Sequence, residues 1–147
     1  MQTPKATTTK KLFSRETEVS VDIEAAPQAI WARLTNAADF PRWNSTVVSI
    51  EGDIKQGETI RLKARLDPRR TFKLKVKELE ANKRMVWGDA MGRREYTLTE
   101  RGDGTTTFAM RERIGGPLFP LFARMIPPFD EAFEQYAADL KREVERG

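Results

Sequence analysis

Two ionisable side chains fall where they could act together. From Thr105 to Ile114 the chain alternates as a strand, with Phe108, Met110, Glu112 and Ile114 on one face. Glu112 is thereby aimed among apolar neighbours, where a carboxylate needs a partner or a raised pKa. The turn sequence Arg101-Gly102-Asp103-Gly104 folds this strand back on Arg93 to Glu100. If Leu98 faces Phe108 across that turn, Tyr96 faces Met110 and Arg94 faces Glu112. The register thus predicts an Arg94–Glu112 ion pair with Tyr96 beside it. Such a group could orient a ligand hydroxyl or carbonyl, or move protons through Arg94, Glu112, Tyr96 and ordered water. The competing readings are a structural ion pair near the sheet rim, or a Glu112 carboxylate bonded to the turn at Trp43-Asn44. The structural side carries more weight, because ionic networks hold carboxylates at non-functional sites too.

The residues that are missing narrow the chemistry further. The 147-residue chain has no cysteine and no histidine. The first absence removes disulfides, thiolate nucleophiles and Cys-type zinc sites. The second removes the commonest general base and metal ligand. No metal constellation, phosphate loop or nucleophile motif is present, and neither a metal nor a cofactor is expected. No apolar run is long enough to cross a bilayer. The basic start MQTPKATTTKK lacks the apolar stretch of a secretory signal, so the default location is the cytoplasm.

The charge of +4 hints at nucleic acid, but its distribution weakens that hint. Lys5, Lys10, Lys11 and Arg15 account for all of it, because residues 1–15 hold no acid and the remainder is neutral. Residues 1–15 read as a basic, disordered tail, and residues 16–147 as one domain, the usual size for a single core.

The elements that must position Arg94 and Glu112 follow from periodicity. Glu16 to Glu24 alternates as a half-buried strand. Pro27, suited to the first helical position, opens a short helix through Leu34. Asp39-Phe40-Pro41-Arg42-Trp43-Asn44 makes a second short helix or aromatic turn, and Val47 to Glu51 a second strand. Trp43 and Asn44 read as a structural plug at a helix-to-strand corner. Gly57 to Leu66 and Arg70 to Glu80 predict a hairpin around Asp67-Pro68-Arg69, pairing Leu66 with Phe72, Ala64 with Leu74 and Leu62 with Val76. Leu79 breaks that parity, which suggests a bulge near Lys77 to Glu80 and leaves the facing of Trp87 open. Arg84 to Asp89 is the fifth strand. After Gly115-Gly116-Pro117 an apolar helix runs from Leu118 to Ile126 and breaks at Pro127-Pro128. Asp130 can then cap a helix whose Phe129, Phe133, Tyr136, Ala137, Leu140 and Val144 form one apolar stripe, with Gly147 ending the chain. Short turns throughout the six-strand run make the sheet antiparallel, and only the last helix is long enough to cover its apolar face.

In that order of elements, several short patterns resemble one superfamily. They are Ala26-Pro27-Gln28-Ala29-Ile30-Trp31, Phe40-Pro41-Arg42-Trp43-Asn44, Arg84-Met85-Val86-Trp87 and Gly102-Asp103-Gly104-Thr105-Thr106, then Arg111-Glu112-Arg113 running into Gly115-Gly116. Together, over residues 16–146, they resemble the START-like helix-grip proteins, also called SRPBCC, in the polyketide cyclase/dehydrase-like branch. The resemblance implies an α+β helix-grip fold: a seven-stranded curved antiparallel sheet wrapped around a long C-terminal helix, with two short helices between the first and second strands. The break at Pro127-Pro128 departs from the usual unbroken last helix, at the mouth of the pocket.

The resemblance also implies a cavity between sheet and helix. By parity its wall should include Leu62, Leu74, Tyr96, Leu98, Phe108, Met110 and Glu112, with Met125, Phe129 and Phe133 from the helical side; the alternative is that these residues pack together as plain core. The leading function is then binding or transport of a small hydrophobic molecule, such as a polyketide, lipid or isoprenoid. A second is a cyclase, aromatase or dehydratase. A third is an interaction module using the basic hairpin face formed by Arg61, Lys63, Arg65, Arg69, Arg70, Lys73, Lys75 and Lys77. That face reads more simply as a solvated surface, and nucleic acid is disfavoured because no aromatic residue alternates with the cations. An exposed strand edge could support a weak homodimer.

Overall fold

The computed structural model describes residues 4–146; Gly147 lies outside them. Eight strands form one antiparallel sheet: β1 (Thr7–Lys10), β2 (Ser14–Ile23), β3 (Val47–Glu51), β4 (Thr59–Ala64), β5 (Asp67–Glu80), β6 (Arg84–Gly88), β7 (Gly92–Glu100) and β8 (Thr106–Gly115), in the spatial order β1-β2-β8-β7-β6-β5-β4-β3. Helix α1 (Pro27–Leu34), a 3-10 turn (Ala37–Asp39) and α2 (Phe40–Trp43) connect β2 to β3. After β8 come α3 (Phe119–Phe122), a second 3-10 turn (Ala123–Met125) and α4 (Asp130–Glu145). This is the helix-grip arrangement. Its core is the inner sheet face closed by α4, whose Phe133, Tyr136, Ala137, Leu140 and Val144 are all buried.

The sheet has one strand more than expected. Residues 7–10, read as disordered tail, pair with β2 from Thr7 opposite Glu18 to Lys10 opposite Arg15. Low hydrophobicity misled here, because β1 is an exposed edge strand held by backbone bonding and by polar ties to α4. Thr8 bonds Thr17 and the Asp130 carboxylate, and the Ala6 amide donates to Glu134 at 2.9 Å. Asp130 is therefore occupied from outside the helix, and the expected cap is absent: Phe129 holds the N-cap position without a side-chain bond.

The β4–β5 hairpin turns earlier than expected. The turn is Arg65-Leu66, so Leu62 faces Phe72 and Ile60 faces Leu74, with an irregularity between Leu62 and Ala64. Asp67-Pro68-Arg69, read as the turn, lies at the start of β5. The displacement is even in residues, so inward positions stay inward despite the wrong pairing. The suspected bulge is present between Val76 and Glu78; it turns Trp87, opposite Val76, into the core.

One ionic cluster ties the two helical regions together. Buried Glu143 of α4 accepts from Arg33 of α1 at 3.1 Å and from Arg42 of α2. The Arg42 hydrogen bond holds the Glu143 carboxyl below its ordinary value of 4.5, against the opposing effect of desolvation. A depressed folded-state pKa means the contribution is complete above the unfolded value and is lost as pH falls through the folded one. Acid titration of the melting temperature should therefore show a decline beginning below about pH 4.5. Glu143→Gln should flatten that decline; an unchanged acid limb in the variant would assign it elsewhere.

Candidate functional site

Sheet and helix leave a cavity of about 580 Å³ between them. That lies within the ordinary range for small-ligand pockets, roughly 300–1,000 Å³. The space exists because α4 closes on the sheet at one end only. Toward the β7–β8 turn, Phe108 stacks on Tyr136 with centroids 6.1 Å apart and rings nearly parallel, and Leu98 is buried beside them. There the core is full. Leu98 and Phe108, expected in the wall, are packing residues.

The other expected residues do border the space. Leu62 and Leu74 come from β4 and β5, Tyr96 from β7, and Met110 and Glu112 from β8. Phe129 and Phe133 close it from the α4 side. Met125 belongs to its rim and is 81% exposed, because the chain leaves helical geometry at Ile126 before the two prolines. Sequence reasoning missed Trp87, Phe40 and Ile50 as wall residues. Trp87 was hidden by the bulge, while Phe40 depends on the tertiary placement of α2, which leaves no local trace. Arg65 and Arg70, assigned to the outer basic face, also belong to the cavity border. Arg70 shares the parity of Phe72 and lies over its ring at 4.6 Å; Arg65 donates to the Ser45 carbonyl at 2.7 Å.

One corner of the wall is polar. Arg94 Nε donates to Glu112 Oε1 at 2.6 Å, in the predicted register. The turn at Trp43-Asn44 takes no part: the Asn44 side chain bonds Thr46 instead. The Arg94 guanidinium lies over Phe133 at 4.9 Å, Phe133 stacks on Phe129 at 6.0 Å, and Arg15 lies over Phe129 at 5.0 Å. Arg15 was placed in the tail by sequence, yet it is buried. Its guanidinium donates to the carbonyls of Ile126 and Pro127 at 3.1 and 2.8 Å. Burial lowers the Arg15 pKa, partly offset by Glu112 and Asp130. Burial also works against the charge of Arg94, but Glu112, then Tyr96, outweigh it and raise its pKa above the ordinary arginine value.

Two phenols complete the corner. Tyr96 and Tyr136 are each 1% exposed, their ring centroids are 6.0 Å apart, and neither hydroxyl has a partner of good hydrogen-bond geometry. Burial raises the pKa of both; for Tyr96 the nearby Arg94 opposes the rise, and for Tyr136 the other phenol adds to it. Both therefore remain neutral O–H groups at physiological pH. Unpaired buried hydroxyls are costly, about 1–3 kcal/mol each, and rare in folded proteins. Together with Arg94 they place three donors at one corner of the wall, the phenol oxygens themselves covered.

A family model described as polyketide cyclase / dehydrase and lipid transport matches residues 14–145. Among solved structures, a Rhodobacter sphaeroides protein superposes with a TM-score of 0.71 at 17% identity, covering 97% of this chain and 99% of that one. A START superfamily protein from Mycobacterium smegmatis gives 0.65 at 15% identity, covering 89% and 97%. A protein from Micromonospora echinospora, CalU16, gives 0.60 at 14%, covering 99% and 90%. At these identities the likeness is one of fold. No curated protein matches the sequence.

Proposed function

The chain belongs to the polyketide cyclase / dehydrase and lipid transport family, and from that premise we propose that its cavity binds a small, mainly apolar molecule carrying a carbonyl or hydroxyl oxygen. The observation that carries this reading is the polar corner: Arg94 and two buried phenols without hydrogen bonds of good geometry, set into a mainly apolar wall. The apolar body of the ligand would lie along Leu62, Leu74 and Met110, and its oxygen would accept from the Tyr96, Tyr136 and Arg94 donors. Such sites orient by a few directed polar groups and gain affinity from apolar contact.

The same corner favours a second reading, cyclisation or dehydration of a polyketide-like chain. Donors aimed at a carbonyl also stabilise the negative charge that develops when it enolises.

The direct test is titration with a fluorescent naphthyl ketone, followed by Trp87 quenching and by NMR shifts of Tyr96, Met110 and Phe133. Saturable binding with those shifts is expected. Leu74→Trp, which fills the space from a partly exposed wall position, should abolish binding while leaving the melting temperature within a few degrees. Binding that survives the filled cavity, or shifts confined to the outer sheet face, would place the ligand elsewhere.

A further inference from the structure

The exposed apolar surface is gathered at one end of the molecule. Of the eight large hydrophobic side chains exposed among the described residues, seven lie on turns or connecting segments there, and Val48 lies at the start of β3. The antiparallel order brings the β1–β2, β4–β5 and β6–β7 turns and the segment after β8 to the same end of the sheet. Leu12 and Phe13 occupy the first of these turns, Leu66 the second and Met91 the third. Leu118, Leu121 and Met125 follow β8 and are 62%, 80% and 81% exposed. Leu66, Met91 and Met125 also border the cavity, so the patch reaches its mouth. The turns at the opposite end, Ala81-Asn82-Lys83 and Arg101 to Thr105, expose no large apolar side chain.

The fold holds these tips in place. The Gly116 amide donates to the Phe13 carbonyl at 3.0 Å and Gly115 to Met91 at 2.9 Å. A Cβ at Gly115 would lie 2.6 Å from the Phe13 carbonyl oxygen, so only glycine permits this close approach. Arg15 clamps the chain at Ile126 and Pro127.

Beside the Leu12-Phe13 turn and the segment after β8 the charge has one sign, whereas the Leu66 and Met91 turns carry Asp67 and Asp89. Residues 10–15 and 113–129 contain no acid. Exposed Lys10, Lys11, Arg113 and Arg124 lie within those stretches, and none forms an ion pair among the described residues. The Leu12-Phe13 turn and the Leu118 to Met125 segment, apolar and flanked by unpaired cations, match the chemistry of an anionic lipid interface, which offers hydrocarbon beneath negative headgroups.

We propose that this end docks on an anionic membrane surface, with Leu12, Phe13, Leu118, Leu121 and Met125 entering the interfacial layer and the cavity mouth facing the lipid. The cations meet headgroups, and a hydrophobic molecule can pass between bilayer and cavity without crossing water. The docking face is separate from the polar corner and stands whether or not the cavity takes the ligand proposed above.

The test is co-sedimentation of the full chain with phosphatidylcholine vesicles, with and without about a quarter phosphatidylserine. Binding should require phosphatidylserine and weaken steeply with salt, because exposed charge interactions are screened. Lys10→Glu with Lys11→Glu should reduce it by about tenfold or more. Leu121→Asp with Met125→Asp should abolish it with the circular dichroism spectrum and melting temperature unchanged, since both side chains stand in water. Absence of binding, equal binding to neutral vesicles, or full binding by the aspartate variant would overturn the proposal. So would self-association of the wild type that the aspartate variant relieves without any vesicle binding, which would assign the patch to a second copy of the chain.

Discussion

Asp139→Ala should lower stability by about 2 kcal/mol, seen as a drop of roughly 4–8 °C in melting temperature. The Asp139 side chain is fully buried on α4, yet it faces the corner between α2 and β3. One carboxylate oxygen accepts from both the amide and the hydroxyl of Ser45, each at 2.7 Å. The other accepts from Gln135 at 2.8 Å and Arg142 at 2.7 Å. Removing it leaves a void where the buried carboxylate was and takes away the acceptor that seats the Ser45 amide, while Ser45 and Gln135 are exposed and can turn to water. Arg142 is largely exposed and can turn to water, so the loss stays below that of a fully buried pair. Asp139→Asn keeps one acceptor for Ser45 and should cost about 1 kcal/mol. Ser45 and Gln135 both border the cavity, so the same variant should loosen ligand binding beyond its effect on stability. A melting temperature within a degree or two of the parent would show that α4 is seated by its apolar stripe alone.

Asp139 also marks where sequence reasoning stops. Parity along a strand says which side a residue faces, and that was enough to place Glu112 opposite Arg94, because a short glycine-rich turn leaves one plausible register for β7 and β8. It was also enough to keep Leu62, Leu74 and Phe72 inward through a wrong hairpin pairing, since an even displacement conserves facing. Parity does not say how far along the sheet the covering helix lies. Leu74 borders space while Leu98 and Phe108, equally inward, are packed, and the difference is the line along which α4 crosses the sheet. That line depends on contacts between segments some hundred residues apart: Asp139 with Ser45, Glu143 with Arg33 and Arg42, and Arg15 with the carbonyls before Pro128. None leaves a periodic trace. Arg15 is the clearest case, a cation assigned to a tail by composition and found buried over Phe129.

Tyr96→Phe combined with Tyr136→Phe should separate stability from binding in opposite directions. In most proteins a buried tyrosine hydroxyl is bonded, and its removal destabilises. Here the two hydroxyls interact with each other and with Arg94 but without a bond of good geometry, so their desolvation is only partly compensated. Deleting both removes that cost without opening a cavity larger than two oxygen atoms. The double variant should be as stable as the parent or more stable, by up to about 2 kcal/mol. Its affinity for the naphthyl ketone should fall by about a hundredfold, because a site built to donate loses both donors while the apolar contacts remain. The matching hydrocarbon without the carbonyl should bind parent and variant alike, which isolates the oxygen as the recognised group. A destabilised double variant would mean that the hydroxyls are bonded in solution, through each other or through Arg94. An unchanged preference for ketone over hydrocarbon would leave Arg94 as the sole donor that reads the ligand. The expected result, a gain in stability bought with a loss of recognition, is what distinguishes polar groups held ready for a ligand from polar groups that merely complete a core.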